Sequence, residues 1–305
     1  MVAKDWRPSI PVVVDRQGRR WLAAELERGV AVVERDGIRC AGCGVDATWR
    51  EAHPRTLTSG RTIDVRLHFR LRHRGSEHGP GCPYDFDRRA DAVVRDLGGV
   101  IAKRGEIYQL RLPLSSLPQA ANAQPGHRRP APELGPGAGP VLSAALRIVQ
   151  LLEDFAHQPE ASERFRAEYA GQAISWGDFC WHADTTARAS ELVDELRRRE
   201  RVGYPIAVWG RARPVVTNAT GTQYVTLTRA QHGQTAARIR ARDPRVLEGV
   251  EAARNLNTAQ HVMGYGEWRA VQLGARPQNP LSANARDTAV EAALWANHPS
   301  AVACW

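Results

Sequence analysis

A chain of 305 residues, 43% of them hydrophobic, is long enough to build two or three ordinary cores. No apolar run reaches the ~18 residues of a membrane-crossing helix, and the opening MVAKDWRPSIPVVV is too short, and too broken by Pro8 and Pro11, for a secretory leader. A soluble, cytoplasmic protein is therefore expected, and the net charge of +9 with a pI near 9.9 points to an anionic partner such as nucleic acid.

The distribution of charge says more than its total. Among 42 basic residues only Lys4 and Lys103 are lysines, a bias that a GC-rich coding sequence would give by itself. Composition alone would not sort the signs, however. Seven arginines between Arg50 and Gly75 face only Glu51 and Asp64, and eleven between Arg197 and Arg245 face only Glu200 and Asp243. Residues 150–196 carry ten acidic residues against three arginines. Two basic surfaces are expected.

In chain order, residues 1–36 predict a strand from Ile10 to Val14, a turn at Arg16 to Gly18, and a short segment from Trp21 to Val33 that packs around a cysteine-bearing module. In that module Cys40 and Cys43 form a Cys-x-x-Cys pair in a turn with Gly42 and Gly44, a spacing at which two thiolates bind one tetrahedral ion. Downstream come His68, His73, His78 and Cys82, the last two as His-x-x-x-Cys in a turn bearing Gly79, Pro80, Gly81 and Pro83. A structural zinc site is expected from Cys40, Cys43, Cys82 and one histidine. Spacing favours His78, which shares a local turn with Cys82; His68, on the polar face of a strand, can also turn toward a metal, and His73 ranks behind both. Cys180 and Cys304 are left as buried or incidental thiols, and an odd number of cysteines fits a reducing compartment.

Ile63, Val65, Leu67, Phe69 and Leu71 alternate with Asp64, Arg66, His68, Arg70 and Arg72, the period of a half-buried strand with one basic face. Asp85 to Leu97 has helical spacing and Glu106 to Leu114 reads as a strand. The Pro- and Gly-rich stretch 115–140 predicts a linker. Helices are expected over Val141 to Phe155, Glu160 to Ala170 and Thr185 to Arg201, the last ending in Arg197-Arg198-Arg199, which suits a helix dipole as well as a phosphate. The aromatics Trp176, Phe179 and Trp181 read as core side chains, with base stacking as the other reading.

Ile206 to Val216 and Gln223 to Arg229 flank the turn residues Asn218 to Gly221 and predict a hairpin, with a bend at Gly210. Trp209, Arg211 and Arg213 succeed one another at period 2, as in oligonucleotide-binding barrels; a surface hairpin with one packed Trp explains them as well. Residues 230–273 read as mainly helical, and Asp287 to Ala296 as an Ala-rich helix. The expected organisation is α+β: a zinc-ribbon domain at 1–114, a linker at 115–140, an acidic helical segment at 141–202, and a basic β-hairpin or barrel-like unit with C-terminal helices at 203–305.

Cys40, Cys43, His68-Phe69 at the end of a basic strand, and Cys82 before a helix resemble the N-terminal zinc ribbon of CoiA-type bacterial competence proteins and related mobile-element proteins, over roughly residues 37–97. The resemblance favours His68 as a ligand and implies a bacterial, nucleic-acid context. In that family a restriction-like nuclease domain comes next, with a Glu-x-Lys motif; with lysine only at positions 4 and 103, this chain has none. No catalytic residue is assigned, and Glu77 is the one acidic residue in the ligand turn.

The function expected is a zinc-stabilised protein that binds DNA or RNA, single strands favoured, with phosphates contacted by Arg66, Arg70, Arg72 and Arg74 and by Trp209, Arg211 and Arg213. The alternatives are a subunit of a bacterial mobile-element or defence nucleoprotein complex, with the acidic helices meeting a protein partner, and a divergent competence-type nuclease.

Overall fold

In the computed structural model, which describes residues 10–29, 34, 36–56, 62–65, 67–73, 76–113, 138–155, 159–199, 203–228, 235–256, 260–272 and 290–305, the chain is α+β. It divides into two units, Met1–Tyr108 with Arg147–Phe165, and Gln109–Leu146 with Arg166–Trp305. The stretch expected as a linker lies outside the described residues except for Ala138, Gly139 and Pro140, which open a helix.

In the first unit Val13 is the buried centre of Val12–Val14 (β1), which pairs antiparallel with Arg20–Leu22 (β2) and Arg39–Cys40 (β3). Asp15 ties the β1–β2 turn: its carboxylate accepts from the backbone N–H groups of Gln17 and Arg19 and from the Trp21 indole. A short helix, Ala23–Glu27 (α1), succeeds β2. Ala47–Arg50 (β4), His53–Thr56 (β5), Thr62–Val65 (β6) and His68–Leu71 (β7) form two antiparallel pairs, β4 with β7 and β5 with β6. The run from Ile63 to Leu71, expected as one strand, is thus two strands with different partners. Its alternation survives in β7, where Phe69 and Leu71 are buried against Ile10, Val13, Ile38, Ala47, Cys40 and Cys82.

Phe86–Asp96 (α2) is capped by Asp85, whose side chain accepts from Arg88 N–H, and buries Phe86 and Ala90. Ile101–Arg104 (β8) and Ile107–Arg111 (β9) lie beyond it. Ala138–Asp154 (α3) and Pro159–Ser162 (α4) come next, and the division between the units passes through β9 and α3. Phe86 meets Phe155 edge-on at 5.2 Å, Tyr108 stacks on Phe165 at 5.3 Å, and the buried Arg164 pairs with Asp87 at 2.6 Å.

The helix expected over Glu160 to Ala170 is replaced after α4 by Phe165–Tyr169 (β10), which turns through Ala170 and Gly171 into Gln172–Ser175 (β11). Alternation decides it: Phe165 and Ala167 are buried while Arg166 between them is exposed. The 141–202 stretch therefore holds strands as well as helices. Trp176–Phe179 (α5) and Cys180–His182 (β12) lead to Thr186–Arg199 (α6), which matches its expected position. Trp176 and Phe179 are buried, the core role read for them.

The rest of the second unit is Ile206–Arg211 (β13), Val215–Thr217 (β14), Gln223–Thr226 (β15), Ala236–Ala241 (β16), Arg245–Asn255 (α7), His261–Gly266 (β17), Trp268–Gln272 (β18), Val290–Trp295 (β19), a 3-10 turn at Pro299–Ala301, and Val302–Cys304 (β20). A four-stranded sheet has the order β12-β13-β17-β20 with β12 and β13 parallel; a five-stranded sheet has the order β14-β15-β16-β19-β18 with β16 and β19 parallel. The expected hairpin forms at its tip, β14 with β15, where Asn218 Oδ1 accepts from the N–H groups of Thr220 and Thr222. Ile206–Arg211, however, belongs to the other sheet. Among the described residues the helical reading of 230–273 holds only for α7, and Asp287 to Ala296 contains the strand β19 instead of an Ala-rich helix. Small side chains suit that strand, because Glu291, Ala292, Ala293 and Leu294 are all buried.

One core serves both sheets. A Cβ at Gly264 of β17 would lie 2.8 Å from both Ile239 Cδ1 of β16 and Leu294 Cδ2 of β19, so glycine permits the approach. Leu192, Val193 and Leu196 of α6 and Val246, Leu247 and Val250 of α7 join that core. Each such side chain contributes roughly 1.5–3 kcal/mol when fully buried.

Candidate metal centre

The Cys-x-x-Cys turn begins at the end of β3. Cys40 pairs with Val13 across the sheet and accepts a backbone bond from Gly44, whose φ of 72° lets the chain fold back beneath the sulfurs. The second turn, Gly79 to Cys82, closes with the Cys82 N–H donating to the Gly79 carbonyl and runs straight into the cap of α2. The two turns touch: a Cβ at Gly42 would sit 2.7 Å from Pro83 Cδ and 2.9 Å from Cys82 Sγ.

This contact gathers Cys40, Cys43, His78 and Cys82, whose ligand atoms all lie within 4.8 Å of one another. Cys40 Sγ and Cys82 Sγ are 3.7 Å apart, and His78 Nδ1 stands 3.5 Å from Cys43 Sγ and 3.3 Å from Cys82 Sγ. A tetrahedral ion with bonds of about 2.3 Å to sulfur and about 2.0–2.1 Å to nitrogen requires edges of ~3.8 Å and ~3.5 Å. The donors can hold a metal ion of that size.

Burial raises the Cys40 thiol and pushes Cys82 up to about 12. Burial also acts upward on Cys43, but bonds from the N–H groups of Val45 and Gly79 and from the neighbouring thiols outweigh it and the net shift is downward. His78 is lowered by burial, against the pull of Asp85, which keeps the ring neutral as a ligand must be. A bound cation would supply the charge that turns these thiols into thiolates.

Of the two histidines left open by the sequence, His78 is the one in the cluster. His68 begins β7, with its ring 6.0 Å from that of His53, and His73 is exposed beyond the strand. Glu77 is exposed. Cys180 is buried with its thiol raised by burial, and Cys304 is half-buried with its sulfur 3.8 Å from the Gly249 carbonyl.

The residues expected to meet nucleic acid are scattered. Arg66 and Arg74 lie outside the described residues. Arg70 is half-buried on β7, and Arg72 pairs with Asp36 at 2.7 Å. Trp209 is buried, with its ring stacked on His182 at 3.8 Å and close to His261 and Trp305, so it belongs to the core of the second unit and offers no open platform. Arg211, at the end of β13, is exposed, and Arg213 is half-buried, its Nε without a hydrogen-bond partner among the described residues.

The helical reading of residues 230–273 passes over Arg238, Arg240 and Arg242. Their signal is the alternation in Ala-Ala-Arg-Ile-Arg-Ala-Arg from Ala236 to Arg242, which has the strand period. No family model matches this chain, and no curated protein or solved structure is found similar to it.

Proposed function

We propose that the chain is a zinc-stabilised nucleic-acid-binding protein that contacts phosphates through arginine-rich surfaces. The observation carrying this reading is the sorting of charge: from Arg197 to Arg245 eleven arginines face two acidic residues. Among the described members of that run, Arg197, Arg198, Arg211, Arg242 and Arg245 are exposed. Arginine's planar fork, weakly hydrated and permanently charged, suits phosphate.

Zinc is the ion this reading assigns to the cluster, since three thiols and one imidazole form a closed set of structural type with no open position. The finer fold reading goes with it: a zinc ribbon around Cys40 to Cys82, and an oligonucleotide-binding-barrel-like unit in the five-stranded sheet. Such barrels have five strands with Greek-key connections. The likeness of Cys40, Cys43 and Cys82 to competence-protein ribbons supports the same context, although His78 stands where the likeness favours His68.

The test is the zinc content of the purified full chain, wild type beside Cys82→Ser, with binding to single- and double-stranded oligonucleotides across a salt series. One zinc per wild-type chain, reduced in the variant, with salt-sensitive binding is the expected result. Wild-type protein that stays folded without metal and ignores both oligonucleotides would defeat the reading.

A further inference from the structure

We propose that the arginine- and aromatic-bearing face of the five-stranded sheet is the binding surface for a single-stranded polynucleotide, an inference that rests on the nucleic-acid reading above and gives it a place. Cross-strand register lines up two rows on this face. Val216, Tyr224, Arg240 and Trp295 form one, and Thr226, Arg238, Ala293 and Arg269 the other. The alternate residues of the same strands, among them Val225, Ile239 and Leu294, point into the core.

Guanidinium groups and rings are layered here. Arg238 stands 5.2 Å from the Tyr224 ring centre, and Arg240 and Arg242 stand 5.6 Å and 5.5 Å from that of Trp295. Glu291, fully buried, accepts from both Arg238 and Arg240. That carboxylate fixes the two long side chains in place, so a ligand does not have to order them. It takes one N–H from each guanidinium in those bonds, and a guanidinium carries five. The Nε–H of each is buried, so the pair offers phosphate oxygens its remaining terminal N–H groups on partly exposed side chains, while Arg242 is exposed.

Charge complementarity calls for a polyanion, and the layered rings and guanidinium planes call for one with flat, unpaired bases. A duplex keeps its base faces stacked on one another. Five strands ~4.8 Å apart also span roughly 19 Å, too broad for the ~12 Å major groove. An acidic polypeptide would meet the charge and leave the ring layers unused.

Binding of the full, zinc-loaded chain to labelled oligothymidylate, oligouridylate and a duplex, read by fluorescence anisotropy across a salt series, tests the surface. Wild type is expected to prefer single strands. Arg242→Ala should make the logarithmic salt slope shallower by about one unit, and Tyr224→Leu should weaken single-strand binding by about fivefold or more. Both variants should keep wild-type melting behaviour. If wild type binds oligonucleotides and both variants bind as it does, this surface is the wrong one while the nucleic-acid reading stands. If wild type binds no oligonucleotide, both fail. Preference for the duplex, or competition by polyglutamate as strong as by a single strand, would overturn the ligand assignment.

Discussion

His78 Nδ1 lies 3.3 Å from Cys82 Sγ, the separation of two ligands on one tetrahedral ion, and the two residues stand only four positions apart in the chain. His78→Ala should therefore release the metal that His68→Ala retains, as measured by metal content after gel filtration. The reverse pattern would return the fourth position to the strand histidine.

Metal removal should unfold the first unit. Small structural zinc sites contribute roughly 10–16 kcal/mol of apparent binding free energy, more than the net stability of most domains. Chelation should thus abolish slow hydrogen exchange at β1, β3, β4 and β7. Acid should do the same, because each ligand must lose its proton or stay neutral to bind, so affinity falls as pH falls.

Gly42→Ala places a Cβ 2.9 Å from Cys82 Sγ and 2.7 Å from Pro83 Cδ. The ring atom cannot retreat without moving the second turn. Metal affinity should fall by about tenfold or more, in the range found when the surroundings of ligands are disturbed. Gly249→Ala, with open space around its Cβ, is the control.

How legible each feature is in the sequence depends on how local it is. Cys40, Cys43, His78 and Cys82 lie in two short turns whose glycines and spacings announce ligands, so the centre is legible down to a choice of histidine. Asp85 and the apolar spacing behind it give α2, and Asn218 to Gly221 give the β14–β15 tip. The second unit hides its strands because β13, β17 and β19 are buried along nearly their whole length and so lack the apolar–polar alternation of a half-open strand. Val290–Trp295 is alanine-rich and reads as helix until β16 and β18 are seen on either side. Trp209 looks like a platform because period 2 assigns a residue to a face without saying what covers that face, and here His182 covers it.

His182 supplies a pH dependence in the second unit. Burial lowers its proton affinity, Asp184 opposes that, and the neighbouring His261 and Arg188 add to it. In the unfolded chain the ring titrates near ~6.5. Below that value the unfolded state binds more protons than the folded one, so this contribution to stability is complete above pH ~6.5 and declines as pH falls toward the lowered folded value. Protection factors of the β13 and β17 amides, with each rate taken relative to the intrinsic rate at the same pH, should fall on acidification in wild type, and less so in His182→Phe. Equal loss of protection in the two would contradict the assignment.

Glu291→Gln should leave Arg238 and Arg240 without their shared carboxylate. Breaking a buried ion pair from one side costs about 3–5 kcal/mol, and the lower end is expected because the two arginine side chains are 28% and 20% exposed. A shift in urea midpoint of the second unit measures it.

The most direct test of the whole account is the salt dependence of oligonucleotide binding by the metal-loaded chain. The account predicts an affinity that falls linearly on a double-logarithmic plot as salt rises, with a slope of several units as phosphate-bound counterions are released. Binding that is absent at low salt, or present and indifferent to salt, would contradict it.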